Sequence, residues 1–90
     1  MKHEYSILTK EEIQMIIYDF LSDYIKVHTY ISTKTVGTIV KKKCGYKQTH
    51  TDPEGTAFKR KFTRNLKVIF MMFETDNKIE KSRNRLYKRL

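Results

Sequence analysis

The run from Asp52 to Glu74, DPEGTAFKRKFTRNLKVIFMMFE, limits what this chain can fold into more than any other stretch. Asp52 is a good N-cap, Pro53 suits the first helical position, and Glu54 complements the positive end of a helix dipole. Beyond that start, Phe58, Phe62, Leu66, Ile69 and Phe73 recur at spacings of four, four, three and four, which is one face of an α-helix. The segment LKVIFMMF, taken alone, also suits a buried strand, because Val, Ile and Phe favour extended backbone. Five matches to the helical template after a Pro-marked start outweigh that short run, and a helix is expected over about 53–74. Its Phe/Leu/Ile face must be buried while Lys59, Arg60, Lys61, Arg64 and Lys67 stay in water.

A partner for that face lies near the N-terminus. Thr9 and Glu12 form a capping box, with Leu8 and Ile13 placed as a hydrophobic staple. Ile13, Ile16, Ile17, Phe20, Leu21, Tyr24 and Ile25 then keep helical spacing, so a first helix is expected over about 10–27. Its other face carries Glu11, Asp19, Ser22, Asp23 and Lys26, which suits a scaffold rather than a phosphate grip. Tyr30–Ile31 reads as a short extended segment. Ser32 or Thr33 can cap a second helix over about 33–44, with Val36, Ile39 and Val40 as its apolar stripe. Lys41, Lys42 and Lys43 fall in its last turn, and Gly45 suits the left-handed position after it. Gly37 costs about 1 kcal/mol inside a helix relative to Ala, and close approach to a neighbouring backbone would account for it. Cys44 reads as a small buried apolar residue.

After Asp76-Asn77 turns the chain, Ile79, a tight SRNR turn, and Leu86 to Leu90 read as a small hairpin over about 78–90. A basic helical tail is the rival; it would forfeit the anchoring expected of Ile79, Leu86 and Leu90.

Charge is the strongest signal about partners. The net charge is +9, unevenly spread: residues 1–40 hold four Lys/Arg against five Asp/Glu, and residues 41–90 hold fifteen against five. A near-neutral half joined to a strongly basic half points to a polyanion-binding surface carried on a separate scaffold. No apolar run approaches the roughly 20 residues of a membrane span. The N-terminal MKHEYSILTK has no apolar signal core, and a lone cysteine fits a reducing compartment, so a cytoplasmic location is expected, nucleoid-associated or in a host cytoplasm if viral.

The order helix, short strand, helix, loop, long helix, basic hairpin resembles the winged helix-turn-helix family of DNA-binding domains. YIST with KTVGTIVKK is similar to its short strand and second helix. LKVIFMMFETDNKIEKSRNRLYKRL is similar to the end of a recognition helix, a turn and two returning strands. The resemblance implies a mainly α fold with a small β-hairpin: a three-helix winged helix-turn-helix over residues 1–90. It implies double-stranded DNA as partner, the third helix in the major groove and the wing on the backbone. Thr56, Lys59, Arg60, Thr63, Arg64 and Lys67 would then face the bases, with Arg60 or Arg64 able to pair bidentately with guanine. Lys41, Lys42, Lys43, Lys47, Lys81, Arg83 and Arg85 would contact phosphates. The link over about 45–52 is longer than the tight turn of a strict helix-turn-helix, and the wing is short.

Other chemistries fit less well. Cys44, His50, Asp52 and Glu54 match no zinc spacing, and His3 and His28 have no nucleophile or carboxylate at a suggestive spacing in the sequence. No glycine-rich phosphate loop occurs, so neither a cofactor nor an enzymatic activity is expected. Tyr46 and Tyr87 could stack unpaired bases in an RNA-binding reading, and the basic helix could lie on a membrane. A sequence-neutral architectural protein and a protein-interaction module are further alternatives on the same fold. Met71 and Met72 are adjacent, so one of them is expected outside the core stripe at a homodimer contact.

Overall fold

A computed structural model describes residues 3–90; Met1 and Lys2, the start of the N-terminal stretch read above, lie outside the described residues. A short 3₁₀ helix, Glu4–Ile7, precedes α1 (Lys10–Val27), β1 (Tyr30–Ser32), α2 (Thr33–Lys43), α3 (Pro53–Thr75), β2 (Ile79–Arg83) and β3 (Leu86–Arg89). Three helices with a small three-stranded antiparallel sheet give the winged-helix-like arrangement expected of the element order.

Each helix starts where its side chains satisfy free backbone amides. Thr9 Oγ1 accepts the Glu12 N–H at 3.1 Å and Glu12 Oε1 accepts the Thr9 N–H at 2.9 Å, closing the capping box. The backbone hydrogen bond from Thr9, followed by its side chain, holds the Glu12 carboxyl below its ordinary value. Ser32 caps α2 through the Thr35 N–H, and Asp52 caps α3 through the Gly55 N–H.

The core joins one face of each helix to the inner side of the sheet. Ile13, Ile17 and Leu21 of α1 meet Val36 and Val40 of α2 and the Phe58, Phe62, Leu66, Ile69, Phe70 and Phe73 face of α3, with Ile31 and Ile79 from the strands. Each such side chain contributes about 1.5–3 kcal/mol by leaving water. Within this apolar seam one polar pair crosses from α1 to α3. Buried Asn65 accepts from Gln14 Nε2 at 2.8 Å and donates back to the Lys61 carbonyl at 2.8 Å. Neither residue carries a local sequence signal for this pairing, which joins positions 51 apart.

The sheet runs β1-β3-β2, so the last strand is the central one. Ile31 pairs with Tyr87 and Lys81 with Tyr87, which puts all three on one side of the sheet. Tyr87 packs on Phe70 at 5.1 Å between centroids and supplies the anchoring assigned to Leu90, which is 60% exposed; Leu86 is half-buried.

Three smaller expectations are corrected. The close neighbours of Gly37 are side chains, not backbone: a Cβ there would stand 3.1 Å from Leu66 Cδ2 and 3.8 Å from Phe62 Cε1. Cys44 is half-buried rather than buried, and partial burial pushes its thiol above the ordinary value. Met71 and Met72 are both exposed, because the α3 core face is already filled by Ile69, Phe70 and Phe73. No helix among the described residues is long and apolar enough to cross a membrane.

Candidate nucleic-acid interface

What α3 presents depends on how its first turn is held, and that turn is gripped from two directions. The α2–α3 link folds back on itself. Gly45 takes φ 93°, the Tyr46 N–H reaches the Lys41 carbonyl at 3.0 Å, and the His50 N–H reaches the Lys47 carbonyl at 2.9 Å. Tyr46 is buried against Phe58, which removes it as a stacking platform for bases. The N-terminal segment lies over this link. His3 Nε2 meets Asp52 Oδ2 at 2.8 Å, the His3 N–H donates to Glu54 Oε2 at 3.0 Å, and its ring stacks on His50 at 4.1 Å. The Tyr5 hydroxyl meets His50 Nδ1 at 2.8 Å, and the Tyr5 ring sits 4.5 Å from that of Phe58.

His3 thus has a carboxylate neighbour after all, brought from 49 residues away. Partial burial by itself would raise the Asp52 carboxyl. The hydrogen bonds from His3 and the Gly55 amide outweigh it and leave the group below its ordinary value. Burial, then Asp52, Tyr46 and Glu54, raise the Tyr5 phenol. The long link is therefore a braced element, tied to the start of α3 and to the N-terminal segment.

From that start α3 carries Thr56, Lys59, Arg60, Thr63, Arg64 and Lys67, all exposed, along one face. Together they line an open groove of about 470 Å³. Thr63 donates its hydroxyl hydrogen to the Lys59 carbonyl at 2.8 Å, so only its lone pairs face outward. From Gly55 to Phe73 the helix has no acidic residue. Among the described residues the one Lys/Arg ion-paired to a carboxylate is Lys26, with Asp23 at 3.5 Å, so the cationic surplus stands uncompensated.

The flanking cations divide by role. Lys41 is half-buried, and burial, then repulsion from Lys59, lowers its ammonium from the ordinary value. That repulsion shows the end of α2 adjoining the basic start of α3. Lys41 also stands 5.5 Å from the Tyr46 ring centroid, and Lys43 stands 5.0 Å from that of Phe20. Lys42 and Lys47 are exposed. Lys81, Arg83 and Arg85 are exposed on the hairpin and do not line the α3 groove. Two other cations serve the fold. Lys61 Nζ donates to the Leu8 carbonyl at 2.9 Å, and Arg89 Nη1 donates to the Ile25 and Lys26 carbonyls at the end of α1.

No protein-family model, curated protein or solved structure matches this chain.

Proposed function

We propose that the protein binds double-stranded DNA as a sequence-specific transcriptional regulator, with α3 in the major groove and the basic hairpin on the backbone. The observation that carries this reading is the α3 outer face, where exposed, unpaired Lys and Arg line one groove with no acidic side chain from Gly55 to Phe73. A helix of this kind matches the width of the major groove, and its long cationic side chains reach both phosphates and base edges. Arg60 and Arg64 have the planar donor fork that pairs bidentately with guanine N7 and O6. Lys42 and Lys47 supply point charges for phosphates, and Lys81, Arg83 and Arg85 do the same from the hairpin.

The test is selection from a random-sequence duplex library over a salt series, with sequencing of the bound fraction. Five neutralised phosphates would give a slope of log affinity against log salt of about −4.5. Enrichment of one motif supports a regulator. The same slope without enrichment assigns a sequence-neutral architectural role instead. Preference for RNA or single strands over duplex sinks both.

A further inference from the structure

Thr63 occupies the middle of the basic face of α3 by two measures. At about 100° per residue, Thr56 and Thr63 fall near the centre of that face round the helix, with Lys59 and Arg64 at its two margins. Along the axis, Thr63 lies close to the midpoint of the stretch from Thr56 to Lys67. A helix seated in the major groove brings the centre line of its inserted face closest to the base edges, which is where a side chain as short as threonine reaches them.

The Thr63 hydroxyl is also restricted in what it can bind. A carbonyl oxygen only accepts, so the 2.8 Å contact from Thr63 Oγ1 to the Lys59 carbonyl commits the one hydroxyl hydrogen to the helix itself. What faces outward is a pure acceptor. Lys59, Arg60, Arg64 and Lys67 around it carry donors and no acceptor. Thr63 therefore has no hydrogen to offer a phosphate oxygen, guanine N7 and O6, or thymine O4, all of which accept. The donors in the major groove are the amino groups on cytosine N4 and adenine N6.

We infer that Thr63 is a specificity-determining residue, its hydroxyl oxygen accepting from cytosine N4 of a G·C pair whose guanine takes the Arg60 fork. The inference rests on the DNA-binding reading and names the base edge that α3 addresses. Arg60 stands three residues before Thr63, a spacing at which helical side chains are neighbours with Cβ atoms about 5–6 Å apart. The edge of a G·C pair presents two acceptors, N7 and O6, followed by the N4 donor, and a two-donor fork beside an acceptor is its complement. An A·T pair sets the N6 donor between N7 and O4, so the same fork meets a donor there.

The test takes the duplex that the wild-type chain enriches from the random library and replaces each base pair in turn. Binding is measured for wild type, Thr63→Val, Thr63→Ser and Arg60→Ala over a salt series. Valine keeps the branched shape and removes the acceptor, whereas serine keeps both the acceptor and the bond back to the helix. Thr63→Val is expected to lower discrimination at one G·C position about three- to tenfold, the worth of one neutral hydrogen bond. Its circular dichroism, melting and salt slope should match wild type. Thr63→Ser should retain the discrimination, and Arg60→Ala should lose it at the same pair. Unchanged discrimination in Thr63→Val, an equal loss on all sequences, or a salt slope shallower by about one, as for a phosphate contact, each overturns the inference. So does an affected pair other than the one Arg60 reads, or a Thr63→Ser protein that behaves like Thr63→Val. Those outcomes leave DNA binding standing, whereas a wild-type chain that enriches no motif removes the inference together with the sequence-specific reading.

Discussion

Gly55 is the residue on which the bracing of α3 can be tested with the smallest change. A Cβ added there would lie 2.3 Å from the His50 carbonyl oxygen and 2.9 Å from both Asp52 Oδ1 and His50 Cβ. An ordinary carbon–oxygen contact is about 3.4 Å, so Gly55→Ala forces the His50 carbonyl back by about 1 Å. His50 cannot yield freely, since its N–H bonds to Lys47, its Nδ1 meets the Tyr5 hydroxyl and its ring stacks on His3. Overpacking of this kind costs about 1–3 kcal/mol, and a lost hydrogen bond about 1 more. Alanine returns at most about 1 kcal/mol of helix propensity, which leaves a net destabilisation of about 2 kcal/mol. For a domain of this size that lowers the melting midpoint by roughly 10 °C, read by far-UV circular dichroism. Gly37→Ala is the control. Its Cβ meets only the flexible end of Leu66 at 3.1 Å, so propensity and crowding should cancel to within about 0.5 kcal/mol. A Gly55→Ala protein as stable as wild type would refute the close approach of the link to α3, and with it the bracing of the groove's first turn.

Other outcomes follow from particular side chains. Phe62→Ala, in the fully buried face of α3, should cost about 3–5 kcal/mol in urea unfolding. The Asp52 carboxyl is held below its ordinary value in the folded chain, so its contribution to stability is complete above about pH 4 and is lost as pH falls through the depressed value. Urea midpoints measured across the acid range should therefore fall with pH, and Asp52→Asn should flatten that fall. In DNA binding, Arg64→Ala should relax preference at one base pair by about 1–3 kcal/mol, whereas Lys42→Ala should weaken all sequences about equally. Uniform losses from both would remove Arg64 from base reading.

The helices were legible because their signals are local. Thr9 with Glu12, Ser32, and Asp52 with Pro53 each lie within one turn of the amides they serve, and the α3 stripe repeats at a period only a helix has. The grouping of Thr56, Lys59, Arg60, Thr63, Arg64 and Lys67 into one groove follows from the same period. What aims the groove was not legible. His3 and Asp52 are 49 residues apart, Tyr5 and His50 are 45 apart, and Gln14 and Asn65 are 51 apart. Such pairs have no fixed spacing to recognise, because a turn or a helix sets distance along the chain and a fold does not. The hairpin shows the same limit. Leu90 looks like an anchor from its type, yet its neighbour in the sheet decides the matter, and Tyr87 fills the place over Phe70.

The position of β3 also sets an order in time. β1 and β2 never touch as ladder partners; each finds its hydrogen bonds on β3, the last strand in the chain. β3 further accepts the Thr33 N–H at the start of α2 through its preceding residue Arg85, and Arg89 closes the end of α1. As the chain emerges from the ribosome, α1, α2 and α3 can collapse on one another while both earlier strands keep open edges. Only when Leu86–Arg89 arrives does one segment seal two strands and two helix ends in a single step. A chain stopped at Asn84 would thus be left with its helices formed and two strand edges free to seek partners in other molecules.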